Sequence, residues 1–154
     1  MFWDGKFKDN EAAPEGVYWA VLTARYTTAQ TVSSKYVQLE VSNSIPVAEL
    51  TVDPASVNAS KPEEAYVPTA FRPKLKSGRG VAEWRVEVLD PAGAVFRTYL
   101  GKGGMPEQVV WDGKSDKGAA LISGQVYQAR IWVRDELGNE GAMQAPINFR
   151  AVFR

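Results

Sequence analysis

The chain has no cysteine and no histidine. Disulfides, thiolate and imidazole metal sites, a cysteine nucleophile and a Ser-His-Asp triad are all excluded. Histidine is also the commonest acid–base group, so the sequence reads as a non-enzyme without cofactors. An extracytoplasmic bacterial protein, in the periplasm, outer envelope or cell surface, is compatible with a lack of cysteine. A small eukaryotic secreted domain fits less well, because such domains often rely on disulfides. There is no excess of charge of either sign, with 18 Lys and Arg against 18 Asp and Glu. No overall field exists to gather nucleic acid or an anionic membrane, so neither is an expected partner. No run of about 18 apolar residues is present, hence no membrane insertion is expected. No signal-peptide pattern precedes the first ordered phrase either.

What is present is a phrase written twice. Phe2-Trp3-Asp4-Gly5-Lys6 returns as Val110-Trp111-Asp112-Gly113-Lys114. Each copy leads to a glycine and then a tyrosine, Gly16 and Tyr18 in the first, Gly124 and Tyr127 in the second. The tryptophans and glycines are offset by 108 residues and the tyrosines by 109. Such a period is too long for a solenoid unit and suits one β-sandwich domain of ~100 residues. The expected organisation is a piece of a tandem array that starts in mid-domain. Residues 1–46 read as the C-terminal part of a first repeat and 47–154 as a complete unit.

No helical stripe is evident. Apolar residues make up 45% of the chain and recur with period two between Gly, Pro, Asn and Asp clusters, the pattern of an all-β domain. A first hairpin is expected from Val17–Tyr26 and Lys35–Val41, joined by a loop over Thr27–Ser34. Further strands are expected at 47–52, 82–89, 95–100, 108–111, 126–135 and 147–153. Residues 53–68, with Pro54, Pro62 and Pro68, read as loop, and the basic stretch 71–79 as solvated loop. Tyr127, Ala129, Ile131 and Val133 fall on one face of the long strand. Gln128, Arg130, Trp132 and Arg134 fall on the other. Trp84, Val86 and Val88, together with Ile131 and Phe149, are expected in the core of an antiparallel sandwich.

The ordered series Trp111-Asp112-Gly113-Lys114, Asp116, Gly118, Gly124, Tyr127, Val133-Arg134-Asp135 and Gly138-Asn139 resembles the Ig-like domain of the bacterial flagellar hook-capping protein. Trp84 to Gly93 and Val95-Phe96-Arg97 extend the likeness upstream. The resemblance implies an Ig-like β-sandwich of the kind found in tandem arrays of bacterial surface and envelope proteins. A spacer or linker role follows from it, with a glycan- or protein-binding module and a hook-cap assembly domain as alternatives. Related arrays often carry a calcium-binding-like segment before the Trp-x-Val strand. The corresponding stretch here, Phe71 to Arg79, is basic, so no cation is carried over.

Few residues stand out as sites. Asp112 and Asp116 are weak metal candidates, but turn formation accounts for both. Arg72, Lys74, Lys76 and Arg79 lack interleaved aromatic residues, which leaves a solvated segment as the plainer reading. Glu63 and Glu64 have no partner that would define an acid–base pair. Trp132 stands between Arg130 and Arg134 and could offer a ligand platform, or be covered by arginine stems. Aligning Tyr18 with Tyr127 puts Tyr18, Ala20, Leu22 and Ala24 on one face of the early strand, and Trp19 and Val21 on the other. Both faces are apolar, so residues ~3–45 are expected to dock on a protein partner with Trp19 at the contact. That partner would be a neighbouring repeat or a second copy of the chain, with a glycan as a further possibility for the outer face.

Overall fold

The computed structural model describes residues 2–54, 69–122, 124–143 and 147–150, with Pro54 and 147–150 described by backbone alone. The described residues form antiparallel strands and no helix. The chain divides into two compact units, Met1–Ser44 and Ile45–Arg154.

The larger unit is a two-sheet sandwich. One sheet runs β11 (Glu140–Ala142), β10 (Val126–Arg134), β7 (Glu83–Leu89), β8 (Val95–Lys102), and β12 (Ile147–Arg150) also pairs with β10. The other runs β5 (Val47–Pro54), β6 (Thr69–Ser77), β9 (Val109–Trp111). β5 packs across β10, β11 and β12, which closes the sandwich. The close approach is visible at Gly141, where any Cβ would overlap the backbone of the buried Pro46.

The inward residues follow the expected alternation. Tyr127, Ala129, Ile131 and Val133 are all buried, as are Val86 and Val88 opposite them. Trp84 is partly buried and packs against this core. Phe149 pairs with Tyr127 through the backbone, but its side chain lies outside the described residues, as do Glu63, Glu64, Ala151 and Phe153.

Trp111 lies at the centre of the core rather than at the sandwich edge, fully buried. Its ring meets Phe71 at 6.5 Å, Phe96 at 6.0 Å and Tyr127 at 5.5 Å. Its Nε1–H donates to the Lys114 carbonyl at 2.9 Å, and Asp112 Oδ1 accepts the Lys114 N–H at 3.0 Å. The repeated phrase is thus a loop that satisfies the one polar atom of a buried indole.

The basic stretch is a strand, not a loop. In β6, Thr69, Phe71 and Pro73 are buried while Arg72, Lys74 and Lys76 are exposed. Lys76 pairs with Glu49 at 2.9 Å and Arg72 with Asp53 at 3.8 Å across β5. Pro73 is tolerated because β6 pairs with β9 only through Thr69–Phe71, and Pro is confined to such open edges.

The smaller unit is one long hairpin with a leading loop. β1 (Gly16–Ala20) pairs with β4 (Val37–Val41), and β2 (Thr23–Arg25) with β3 (Thr31–Ser33). The expected loop over Thr27–Ser34 is shorter, a tight turn over 26–30, because β-branched Thr31 and Val32 continue the strand. Between the two ladders one strand carries an extra residue. Ser34 bridges there, donating its N–H to Leu22 O at 2.8 Å and accepting Leu22 N–H through Oγ at 3.0 Å.

The sequence repeat is also a structural repeat. In the leading loop Trp3 Nε1–H donates to Lys6 O at 2.7 Å, and Asp4 Oδ1 accepts Lys6 N–H at 3.1 Å. Ala13 N–H donates to Gly5 O at 2.7 Å as Leu121 N–H does to Gly113 O at 2.8 Å. One contact inverts. Ile122 N–H donates to the Tyr127 hydroxyl at 2.8 Å, but its counterpart Pro14 has no N–H, so the Tyr18 hydroxyl donates to Pro14 O at 2.7 Å.

One turn recurs five times, at 7–11, 26–30, 90–94, 115–119 and 135–139. In each, the first N–H donates to the fifth carbonyl and the fourth N–H to the first carbonyl. The larger unit starts these turns with Asp90, Ser115 or Asp135, whose side chains accept two further N–H groups, and puts glycine at the left-handed fourth position. The smaller unit has Phe7 and Tyr26 at the start, and Asn10 (φ 66°) and Ala29 (φ 64°) at the fourth position. A left-handed alanine costs about 1–2 kcal/mol. Reciprocal substitutions are therefore expected to act in opposite directions. Ala29→Gly should slow amide exchange across β2 and β3, a gain of up to about 1 kcal/mol, whereas Gly138→Ala should lower the denaturation free energy by about 1–2 kcal/mol. Equal signs for the two would contradict the assignment of strain to that position.

Candidate interaction surfaces

The outer face of β7 and β10 is a ladder of charges around one aromatic ring. Arg130 stands opposite Glu87, Trp132 opposite Arg85, and Arg134 opposite Glu83. Glu87 is held between Arg130 at 2.5 Å and Arg85 at 3.1 Å. Glu83 binds Arg134 and lies 3.7 Å from Lys102. The Arg134 hydrogen bond, outweighing burial, holds the Glu83 carboxyl below its ordinary value. Trp132 is half-buried, with the Arg85 guanidinium 5.2 Å and the Arg134 guanidinium 5.8 Å from its ring centre. The ring's π surface is engaged by the protein's own cations.

Asp112 and Asp116 each have partners of their own. Asp112 closes its own turn. Asp116 Oδ1 accepts Thr98 N–H at 3.3 Å and lies 3.7 Å from Arg97 Nη1, so a cation already faces it. Among the described residues no three carboxylates are grouped as they would be around a metal ion.

The hairpin unit carries the apolar exposure. Trp19 is 61% exposed and Val21 44%, on the face that also bears Gln38 and Glu40. The opposite face carries more. Tyr18 pairs with Leu39, Ala20 with Val37 and Ala24 with Val32, and Leu22 is 64% exposed. Trp3 and Phe7 pack on Tyr18 with ring centres 5.7 and 6.2 Å away. Period-two alternation identifies this second face, but only the larger unit shows what such a face is for.

Asp135 is the residue whose role the spacing alone did not disclose. It is 1% exposed. Burial raises its pKa, but N–H groups of Asn139, Leu137 and Arg79 and the Asn139 side-chain amide overcome that and hold it below the ordinary 3.8. It is the structural keystone of the β10–β11 turn.

No family model matches the chain and no curated protein matches it, so nothing ties it to the hook-cap type by descent. A solved structure does match. The crystal structure of dimeric latent PorU from Porphyromonas gingivalis aligns with TM-score 0.52 and 22% identity over 92% of this chain. The aligned part is 13% of that chain. The likeness is one of fold: the same all-β arrangement occurs as a small part of a much longer polypeptide.

The depressed Asp135 pKa fixes the sign of a pH effect. A carboxyl lowered in the folded state stabilises fully above its unfolded value and loses that contribution as pH falls through the folded value. Asp135→Ala should cost about 2–3 kcal/mol at pH 7, because buried N–H groups lose their acceptor. The gap between variant and parent in urea denaturation should narrow as the pH drops below 3.8. A gap independent of pH would contradict the role given to the charge.

Proposed function

We propose that the chain is a structural and linking module of a larger bacterial envelope or surface protein, acting outside the cytoplasm and without catalysis. The observation that carries this reading is the duplicated scaffold. The same loop, turns and hydrogen bonds recur 108–109 residues apart, to within 0.2 Å in length. Recurrence of the same loop, turns and hairpin ladder at one-domain spacing is what a spacer array of such units would show. The fold likeness to a 13% portion of a long bacterial chain supports it further. So does a composition without histidine or cysteine. Its partners are other protein units, neighbouring repeats or a second copy. A glycan platform at Trp132 is the weaker reading, because Arg85 and Arg134 already flank that ring.

The reading is tested by surface proteolysis of intact cells of the encoding bacterium, followed by immunoblotting with antibody to this chain. The expected antigen is accessible to protease and several-fold larger than 16.9 kDa. A protease-protected cytosolic species of about that mass would contradict it.

A further inference from the structure

We infer that Asp116 locks the open edge of the larger sheet. It occupies main-chain positions of β8 that another β-strand would otherwise pair with, and so keeps this edge from joining that of a second copy of the chain. The lock would act in any parent protein, whether or not the chain is a linking module.

β8 pairs with β7 on one side, and no described strand pairs with it on the other. An unpaired strand edge is a template for association with a like edge. Here the 115–119 turn lies against that edge. Asp116 N–H donates to Phe96 O at 2.9 Å, and Asp116 Oδ1 accepts Thr98 N–H at 3.3 Å. One residue thus gives β8 both a donor and an acceptor, as a paired strand would. Arg97 fastens the turn, donating from Nη1 to Ser115 O at 3.3 Å and lying 3.7 Å from the Asp116 carboxylate. The chain reverses within the turn, Ser115 N–H donating to Ala119 O at 2.8 Å, so the ladder stops there.

The place of Asp116 in the turn makes this possible. The first and fourth N–H groups close the turn, and the third and fifth donate to Ser115 Oγ. Only the second N–H, that of Asp116, is left to reach outward. In the 135–139 turn the second N–H also reaches out, from Glu136 to Arg79 O at 3.3 Å. In the 90–94 turn that place is taken by Pro91, which has no N–H.

What remains of the edge is short and charged. By strand alternation Thr98, Leu100 and Lys102 turn their main-chain groups away from β7. Asp116 takes the Thr98 N–H, and Lys102, its side chain 86% exposed, stands at the far end. Charged side chains, lysine above all, blunt strand edges. The other sheet is guarded in kind, since β6 carries Pro73, Lys74 and Lys76 beyond its pairing with β9.

The experiment compares Asp116→Pro, Asp116→Ala and Asp116→Asn with the parent, all as the full chain, by sedimentation velocity and residue-resolved amide exchange over a range of concentrations. Proline removes the N–H and the carboxylate together, in a turn position that Pro91 already fills elsewhere. Asp116→Pro should associate at a concentration about tenfold or more below that of the parent, with Leu100 exchange slowing as concentration rises. Asp116→Ala keeps the N–H, so at low concentration Thr98 alone should exchange faster, by about tenfold or more. Asp116→Asn keeps a donor and an acceptor and should match the parent within about twofold. A folded Asp116→Pro that associates no more readily than the parent overturns the proposal, as does association that protects strands other than β8. Should proline unfold the chain, as near-UV circular dichroism would report, the alanine variant decides alone. Faster Thr98 exchange with easier association then upholds the lock, and parental values of either overturn it.

Discussion

A fully buried indole carries one donor that must be satisfied away from water, and the larger unit is arranged around that requirement. Trp111 donates to the carbonyl of Lys114, three residues on, so the chain must fold back at once. Asp112 holds the returning amide. The ring, fixed from within its own loop, then touches Phe71 of one sheet and Phe96 and Tyr127 of the other. A local hydrogen bond thereby sets the spacing of two sheets. The repeated phrase is best understood as the minimal sequence that lets a tryptophan sit in a sandwich core.

Much of this was legible before any coordinates. β10 alternates along its whole length, and each residue assigned inward from Tyr127 to Val133 is buried, as are Val86 and Val88 of β7. The all-β class followed from period two alone. β6 was not legible, because Pro73 broke the apparent strand and three cations hid the inward series Phe71, Pro73, Leu75. The short β11 was missed since Gly141 offers no side chain to read; its burial comes from the backbone at Pro46. The turn at 26–30 was overestimated because Ala29 gives no sign of a left-handed residue. The candidate surface was half legible. Alternation identified two apolar faces on β1, Tyr18, Ala20 and Leu22 on one and Trp19 and Val21 on the other, and Trp19, Val21 and Leu22 are exposed. The preserved Trp3–Tyr18 geometry is a tertiary fact that no spacing reveals.

The two units share a scaffold but differ in what they can afford. In the larger one, acceptor side chains at the turn starts and glycine at the left-handed positions agree with the global fold. In the smaller one the same turns carry Phe7, Asn10, Tyr26 and Ala29, with strain at the left-handed Ala29. A hairpin without a facing sheet is marginal in water. The local turn chemistry therefore favours the second unit over the first.

Native-state amide exchange on the whole chain, resolved by residue, tests this account most directly. Amides of β7 and β10, paired strands of the sheet that faces Trp111 across the core, should exchange only through global unfolding. Those of β1 to β4 should exchange at least about 100-fold faster, through local opening. Protection of β1 to β4 equal to that of β10 would show that the Tyr18 face is already covered, and would contradict the division into a closed and an open unit.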